Sequence, residues 1–343
     1  MRASALFVVL LVASMARADV GVEKGVALGL FASDPRWDYG PLLDEVRDLG
    51  ASHVLLAVVW TQKTMRSARI HRQHGTTPDD DVIVRTLRQA RARGLSVTLF
   101  PIVRLEEHAP DEWRGRIDPR AGLDAWFASY RDFLVTMAAL AQEGGAARLS
   151  VGSELVSLEH HDARWRTLIA EVRARFSGRL LYSANWDHFT QVPFWDAVDD
   201  VGVTAYFELA RDEHMPSNAD LDRAWEGPRA SLLALKAATG KPLVVTEVGY
   251  PSMVGAARYP WDETRRAAID LAGQATLIDA FCRAFRSPPR GTHPDASASH
   301  RGGSIDGFYV WNWFGFGGPT DTSYTPRKKP GARALEGCLR AAW

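Results

Sequence analysis

Several things missing from this chain of 343 residues narrow its possible roles. It carries no net charge, because 41 Lys and Arg balance 41 Asp and Glu. No basic stripe is therefore available for phosphates, and nucleic acid is not expected as a partner. There are only two cysteines, and with no His cluster beside them they do not make a zinc site. His71-Arg-Gln-His74 and Glu159-His160-His161 look metal-like but lack a second ligand pair at a recognisable spacing. No Walker-type phosphate loop occurs, and Gly315-Phe-Gly317-Gly318 lacks the strand-then-helix setting of a dinucleotide fingerprint. No cofactor and no metal is expected. No run of 18 apolar residues occurs either, which speaks against a stable membrane insertion. What remains, 46% hydrophobic and 24% charged residues, is the composition of an ordinary globular protein. The 12 Trp are numerous. They suit flat amphipathic ligands such as sugar rings, or simply a core.

The N-terminus reads as an export signal. Met1-Arg2 supplies a positive start, residues 3–15 carry no charge, and Ala16-Arg17-Ala18 has the small-x-small form of a cleavage site. Residues 1–18 are expected to be a signal peptide and residues 19–343 the mature domain, in a secreted or periplasmic protein. In such a compartment Cys282 and Cys338 can form one disulfide; two buried free thiols are the equal alternative.

Beyond the leader, β-rich apolar runs alternate with amphipathic stretches. Strands are predicted at residues 26–31, 53–60, 95–103, 147–154, 180–185, 200–206, 242–248 and 305–313. Leu42, Leu43, Val46 and Leu49 have helical spacing and stop at Gly50, and Asp79-Asp-Asp81 suits a helix N-terminus before Val82, Val84 and Leu87. Further helices are expected at 121–142, 163–176, 220–238, 263–285 and 331–341. Eight beats without a break in composition predict an α/β fold, a single (β/α)8 TIM barrel. A doubly wound open sheet would have fewer strands and usually a Gly-rich first turn.

In such a barrel the chemistry gathers at the C-terminal strand ends. Those ends are Trp60, Arg104, Glu154, Asn185 with Trp186, Tyr206, Glu247, and Trp311 with Trp313. Two are carboxylates that close small or apolar runs, a costly placement unless they are paired or used. None is His, which leaves a metal-dependent hydrolase without ligands. Asp34, Trp37 and Asp321 fall in loops on the same side, and the stretches 250–262 and 288–304 are candidate rims of a cleft.

A glutamate on the fourth strand and another on the seventh form the signature pair of clan A glycoside hydrolases. The chain resembles glycoside hydrolase family 113, the β-mannanase-type barrels, over roughly residues 25 to 342. The motifs concerned are Val151-Gly-Ser-Glu-Leu155, Val201-Gly-Val-Thr-Ala-Tyr-Phe207, Thr246-Glu-Val-Gly-Tyr-Pro251 and Phe308-Tyr-Val-Trp-Asn-Trp313. The resemblance implies a retaining glycosidase acting on a β-linked, mannan-type carbohydrate. Glu154 would be the acid/base, Glu247 the nucleophile and Tyr206 the nucleophile's hydrogen-bond donor, with the carboxyls about 5–5.5 Å apart. That division of labour calls for Glu247 ionised and Glu154 protonated. Ser153 departs from the pattern, standing where many clan A enzymes place an asparagine on the sugar 2-hydroxyl. Trp311 is expected as the floor under the sugar, with Trp313 on the opposite side as a further subsite or as packing. Trp60 and Trp186 are candidate platforms, Asn185 a hydroxyl ligand and Arg104 a brace for a carboxylate. A monomer is expected. The alternative is a carbohydrate-binding or cell-envelope protein whose catalysis has decayed. Carboxyls far apart, or buried in salt bridges with arginines, would favour it.

Overall fold

The computed structural model describes residues 21–286 and 304–343. The proposed leader and all but the last residue of the stretch 288–304 lie outside the described residues. The chain runs β1 (Glu23–Gly29), α1 (Gly40–Asp48), β2 (His53–Gln62), β3 (Ile70–His71), α2 (Asp80–Ala92), β4 (Ser96–Leu105), α3 (Leu123–Gly144), β5 (Arg148–Ser153) and α4 (Asp162–Arg173). It continues through β6 (Arg179–Ala184), β7 (Asp200–Thr204), α5 (Asn218–Thr239), β8 (Leu243–Val248), α6 (Leu271–Phe285), β9 (Gly307–Val310) and α7 (Pro330–Arg340). Eight strands pair in parallel around a closed ring, β1-β2-β4-β5-β6-β7-β8-β9 and back to β1. The two-residue β3 adds antiparallel to the end of β2. The fold is a single (β/α)8 barrel.

Local chemistry explains most boundaries. β2 is buried along nearly its whole length, because parallel barrel strands are covered on both faces. α1 stops before Gly50, which takes φ +91°. α5 starts where the Ser217 side chain accepts a hydrogen bond from the Asp220 amide, and it ends at Gly240 with φ +65°.

One helix differs from expectation, and one connection carries none. No α-helix separates β6 from β7; that connection is made by two short 3-10 turns, Phe189–Gln191 and Trp195–Ala197. α6 begins at Leu271 rather than near 263. Residues just before it are held to the chain after β8 by backbone bonds, Val254 N to Ala268 O and Asp270 N to Ser252 O, and these compete with helix formation. β9 is likewise shorter than the 305–313 run, ending at Val310.

The barrel is filled from its two ends differently. Small and apolar side chains occupy the middle, among them Ala27, Leu55, Ala57, Val59, Phe100 and Val244. The N-terminal end is closed by Arg148, which reaches Glu23 at 2.7 and 2.9 Å and Asp200 at 2.8 Å. A buried cation of this kind is sustainable only with such full pairing. The C-terminal end is where polar groups without full pairing collect. A disulfide joins Cys282 on α6 to Cys338 on α7. Among the described residues no helix is long and apolar enough to cross a membrane.

Candidate active site

Both strands that carry a candidate glutamate break register just before it. Between Ser150 and Ser153 β5 takes one more residue than β6 does between Leu181 and Ser183. β8 does the same against β7 between Val245 and Glu247. An extra residue of this kind re-aims the side chains that follow. Glu154 also has φ +54°, a left-handed conformation that costs a non-glycine residue about 1–3 kcal/mol. It is held there on both sides, by the Glu154 amide on Ser183 O at 2.8 Å and by the Leu155 amide on the Tyr182 hydroxyl at 3.2 Å. Tyr182 in turn donates to Glu159 Oε1 at 2.7 Å.

Glu154 and Glu247 are both buried, yet their partners differ. Glu154 Oε1 accepts from Thr204 Oγ1 at 2.7 Å, and Oε2 accepts from Arg114 Nη2 at 2.5 Å. Glu247 Oε2 accepts from the Tyr206 hydroxyl at 2.9 Å. Its other oxygen, Oε1, is buried with no hydrogen-bond partner. Burial, and then the charge of Glu154, push Glu247 up to about 8 against the opposing effects of Arg114 and the Tyr206 hydrogen bond. Tyr206 itself is raised well above the usual phenol range by burial and by Glu247, so it stays a donor. Behind Glu154, burial pushes Glu159 up to about 7 despite its bond from Tyr182, with the charges of Glu154 and Asp187 adding to the rise. Of the two carboxyls, Glu247 is the one whose proton is retained by burial and by its neighbour's charge, where the expected nucleophile would be ionised. The Arg114 guanidinium, which sits on Glu154, opposes that rise without cancelling it.

The other anticipated residues divide. Ser153 is buried with its Oγ unpartnered, one residue before the acid. Trp311 packs on the barrel's inner cluster beside Phe31, at 6.3 Å between rings. Trp186 is half-buried and stacks on Trp261. Asn185 is buried and spends its amide on Asp187 Oδ1 at 2.6 Å, a turn contact.

Three expectations are corrected. Trp60 lies outside the barrel, stacked on Phe133 of α3, because Ala57 and Val59 take the inward positions and alternation sends residue 60 outward. Trp313 is buried in the outer layer, with Nε1 donating to Glu45 at 2.7 Å. On a regular strand residues 311 and 313 would share a face; they part because β9 ends at Val310. Arg104 is exposed and donates to Gln73 and Thr76 rather than to a carboxylate.

Four participants were not anticipated. Arg114 comes from a 3-10 turn in the long connection between β4 and α3. The visible signal was that connection's length, 106–122, since long structured loops in compact domains are commonly functional. Thr204, Tyr182 and Glu159 gave no signal of their own. Among the described residues no group of three or more His, Cys, Asp or Glu is placed to hold a metal ion.

Comparison with known proteins adds three findings. The sequence profile of Glycoside Hydrolase Family 113 matches residues 40–315. A GH113 β-1,4-mannanase superposes with a TM-score of 0.79 at 23% identity, covering 94% of this chain and 99% of that one. The GH113 β-mannanase AaManA from Alicyclobacillus acidocaldarius gives 0.77 at 27% identity, with 94% and 98% covered. A GH5_18 structure from Bifidobacterium longum subsp. longum shares the fold alone, with a TM-score of 0.60 at 15% identity over 92% of this chain and 78% of that one. No curated protein sequence matches.

Proposed function

We infer that this chain, which belongs to glycoside hydrolase family 113, is a secreted retaining enzyme that cleaves a β-linked, mannan-type polysaccharide or oligosaccharide. Membership makes it a glycoside hydrolase with a carbohydrate substrate. The finer reading rests above all on one observation: Glu154, directly after β5, and Glu247, next to last in β8, stand at one barrel mouth, and the second keeps a buried oxygen bare.

The proposed steps follow from those partners. Glu154 gives its proton to the leaving glycosidic oxygen as that bond breaks, and Glu247 Oε1 attacks the anomeric carbon to form a glycosyl ester. Tyr206 holds the other oxygen of Glu247 and orients the carboxylate. Glu154, now ionised, takes a proton from water, the resulting hydroxide attacks the anomeric carbon, and the ester bond breaks with its electrons returning to Glu247. Two inversions give net retention. Before the first step the single proton of the pair has to stand on Glu154. A sugar entering between Glu154 and Arg114 would part them and bring the leaving oxygen to the acid, while Arg114 and Tyr206 support the charge on Glu247. Ser153 Oγ, unpartnered beside the acid, is placed to hydrogen-bond a sugar hydroxyl.

The Arg114 bridge on Glu154 is the observation that favours the other reading, a carbohydrate binder with decayed catalysis. Against it stands the asymmetry of the site. Only one carboxylate is bridged, and about a quarter of the Arg114 side chain remains open to solvent. The β-1,4-mannanases among the similar structures support a mannan-type substrate, and the disulfide is compatible with an oxidising, extracytoplasmic compartment.

The deciding experiment is reducing-end release by residues 19–343 on β-mannan, glucomannan, β-glucan, xylan and chitin, with Glu154→Gln and Glu247→Gln alongside and the product anomer followed by NMR. The expected result is release on mannan or glucomannan, first as the β-anomer, and abolished in both variants. Release that survives both substitutions would remove the glutamates from the chemistry. A folded protein inactive on every polymer but retained by one of them would establish the binder.

A further inference from the structure

The large exposed hydrophobic side chains are not scattered. Among the described residues these are Trp37, Met215, Trp261, Ile269 and Phe316. They fall in the connections β1–α1, β7–α5, β8–α6, again β8–α6, and β9–α7. Every one of those connections leaves the C-terminal end of a barrel strand, the end that bears Glu154 and Glu247. Solvent-facing apolar groups confined to one face mark a contact surface.

Trp261 differs from the other four in how it is backed. Its indole lies nearly parallel to that of Trp186, with 18° between planes and 5.7 Å between centroids. Trp186 rests edge-on against Phe207 at 5.8 Å, and Phe207 against the fully buried Trp225 at 5.9 Å. Trp261 also meets Tyr259 in an edge contact at 6.1 Å, and Tyr259 is itself covered by the guanidinium of Arg265 at 4.3 Å. The exposed indole is thus the outermost ring of an aromatic column that starts in the core. Little conformational entropy remains to be lost when something lies on it.

The column also adjoins the charged centre. Phe207 follows Tyr206, the donor to Glu247, and Trp186 stands two residues past the end of β6, the strand paired with the one that precedes Glu154. Hydrogen-bonding groups suited to hydroxyls are close by: the Arg258 guanidinium, paired with Glu208, lies 5.3 Å from the centre of the Tyr259 ring that Trp261 meets, and Asp262 follows Trp261 in the chain. A rigid flat apolar surface rimmed by polar groups matches a pyranose ring, which has apolar C–H faces and an equatorial belt of hydroxyls.

We propose that Trp261, braced by Trp186, is a sugar-stacking platform away from the cleavage point, engaged by chains of several β-linked hexose units and left empty by short substrates. The proposal rests on the glycan-cleaving reading above and adds to it the length of chain the site grips.

The test compares Trp261→Ala with Trp261→Phe, each against a mannan polymer and against an aryl β-mannoside or mannobiose. Trp261→Ala should lower kcat/KM on the polymer about tenfold and leave the short substrate within about twofold. Trp261→Phe should recover most of the loss, because it keeps a flat ring. Equal losses on long and short substrates, or no loss on either, would overturn the platform. If the wild type hydrolyses no glycan, the catalytic reading falls and the platform is judged by binding alone. Migration of Glu247→Gln, with and without Trp261→Ala, is then compared in gels containing glucomannan. Retardation relieved by Trp261→Ala supports the platform; retardation unchanged, or absent from both, overturns it.

Discussion

Glu154 has a guanidinium and a hydroxyl on its two oxygens, whereas Glu247 has one phenol and one bare buried oxygen. Two carboxyls in one dry pocket cannot both ionise cheaply, so the pair holds one proton between them well above the ordinary carboxylate range. Burial and the neighbouring charge place that retention at about 8 for Glu247. If the pair is the catalytic machinery, kcat/KM should fall on the alkaline side as the last shared proton leaves near pH 8. Because Arg114 opposes the rise, Arg114→Gln should move that limb upward; an unmoved limb would show that its charge does not act on the pair. The same shift has a stability sign. Glu247 binds its proton more tightly folded than unfolded, where the value is near 4.5. Its contribution is therefore full below about 4.5 and lost as pH rises through about 8. Glu247→Gln cannot lose that proton, so its Tm should gain on the wild type between pH 5 and pH 9, by several degrees on the order of 1–2 kcal/mol. A constant difference across that range would contradict the burial argument.

The two strands bearing the glutamates are the two that take an extra residue before them, and β5 shows what that irregularity demands of its neighbours. A Cβ on Gly152 would stand 2.7 Å from the Tyr182 ring and 3.1 Å from the Tyr130 hydroxyl. Tyr182 is the residue that accepts from the Leu155 amide and so helps hold Glu154 in its left-handed turn. Gly152→Ala should therefore push Tyr182 away, loosen the acid and cut kcat by tenfold or more, with little change in KM, while far-UV circular dichroism stays that of the wild type. A variant with normal kcat would mean that the turn holds itself. The same irregularities mark the limit of reading this chain from its sequence. Apolar runs and helical spacing located all eight barrel strands, and the strand-end rule found Glu154, Tyr206 and Glu247 without any coordinates. Alternation could have turned Trp60 outward once the parity of β2 was known, but parity comes from the neighbours of a strand. The choice between a subsite and packing for Trp313 stayed open in the sequence because the point at which β9 stops is decided by packing. Arg114 arrives from a loop, and only the closed tertiary structure says which strand end that loop covers.

At the scale of the whole molecule, closing a barrel forces the first strand to pair with the last, and this seam is reinforced from the C-terminus. Lys24 Nζ at β1 donates to Ala341 O at 3.0 Å, and Trp343 stacks on Phe308 of β9 at 4.6 Å. The disulfide fastens α7, which carries this tail, to α6 across 56 residues of sequence with the Cα atoms 5.8 Å apart. A loop of that length implies about 4 kcal/mol on the chain-entropy account of cross-linking. Cys282 and Cys338 stand near the C-terminal ends of their helices. Helices of such a barrel run back against the strands, so the bridge lies at the end opposite Glu154 and Glu247. Cys282→Ser with Cys338→Ser, or reduction of the native protein, should therefore lower the Tm by several degrees and leave kcat and KM at 25 °C unchanged. A Tm insensitive to reductant would mean that the tail is already held by the Trp343 and Lys24 contacts alone. A fall in kcat at a temperature where both forms are folded would mean that the seam transmits its strain through β9 to Trp311, and the mouth of the barrel would then depend mechanically on its base.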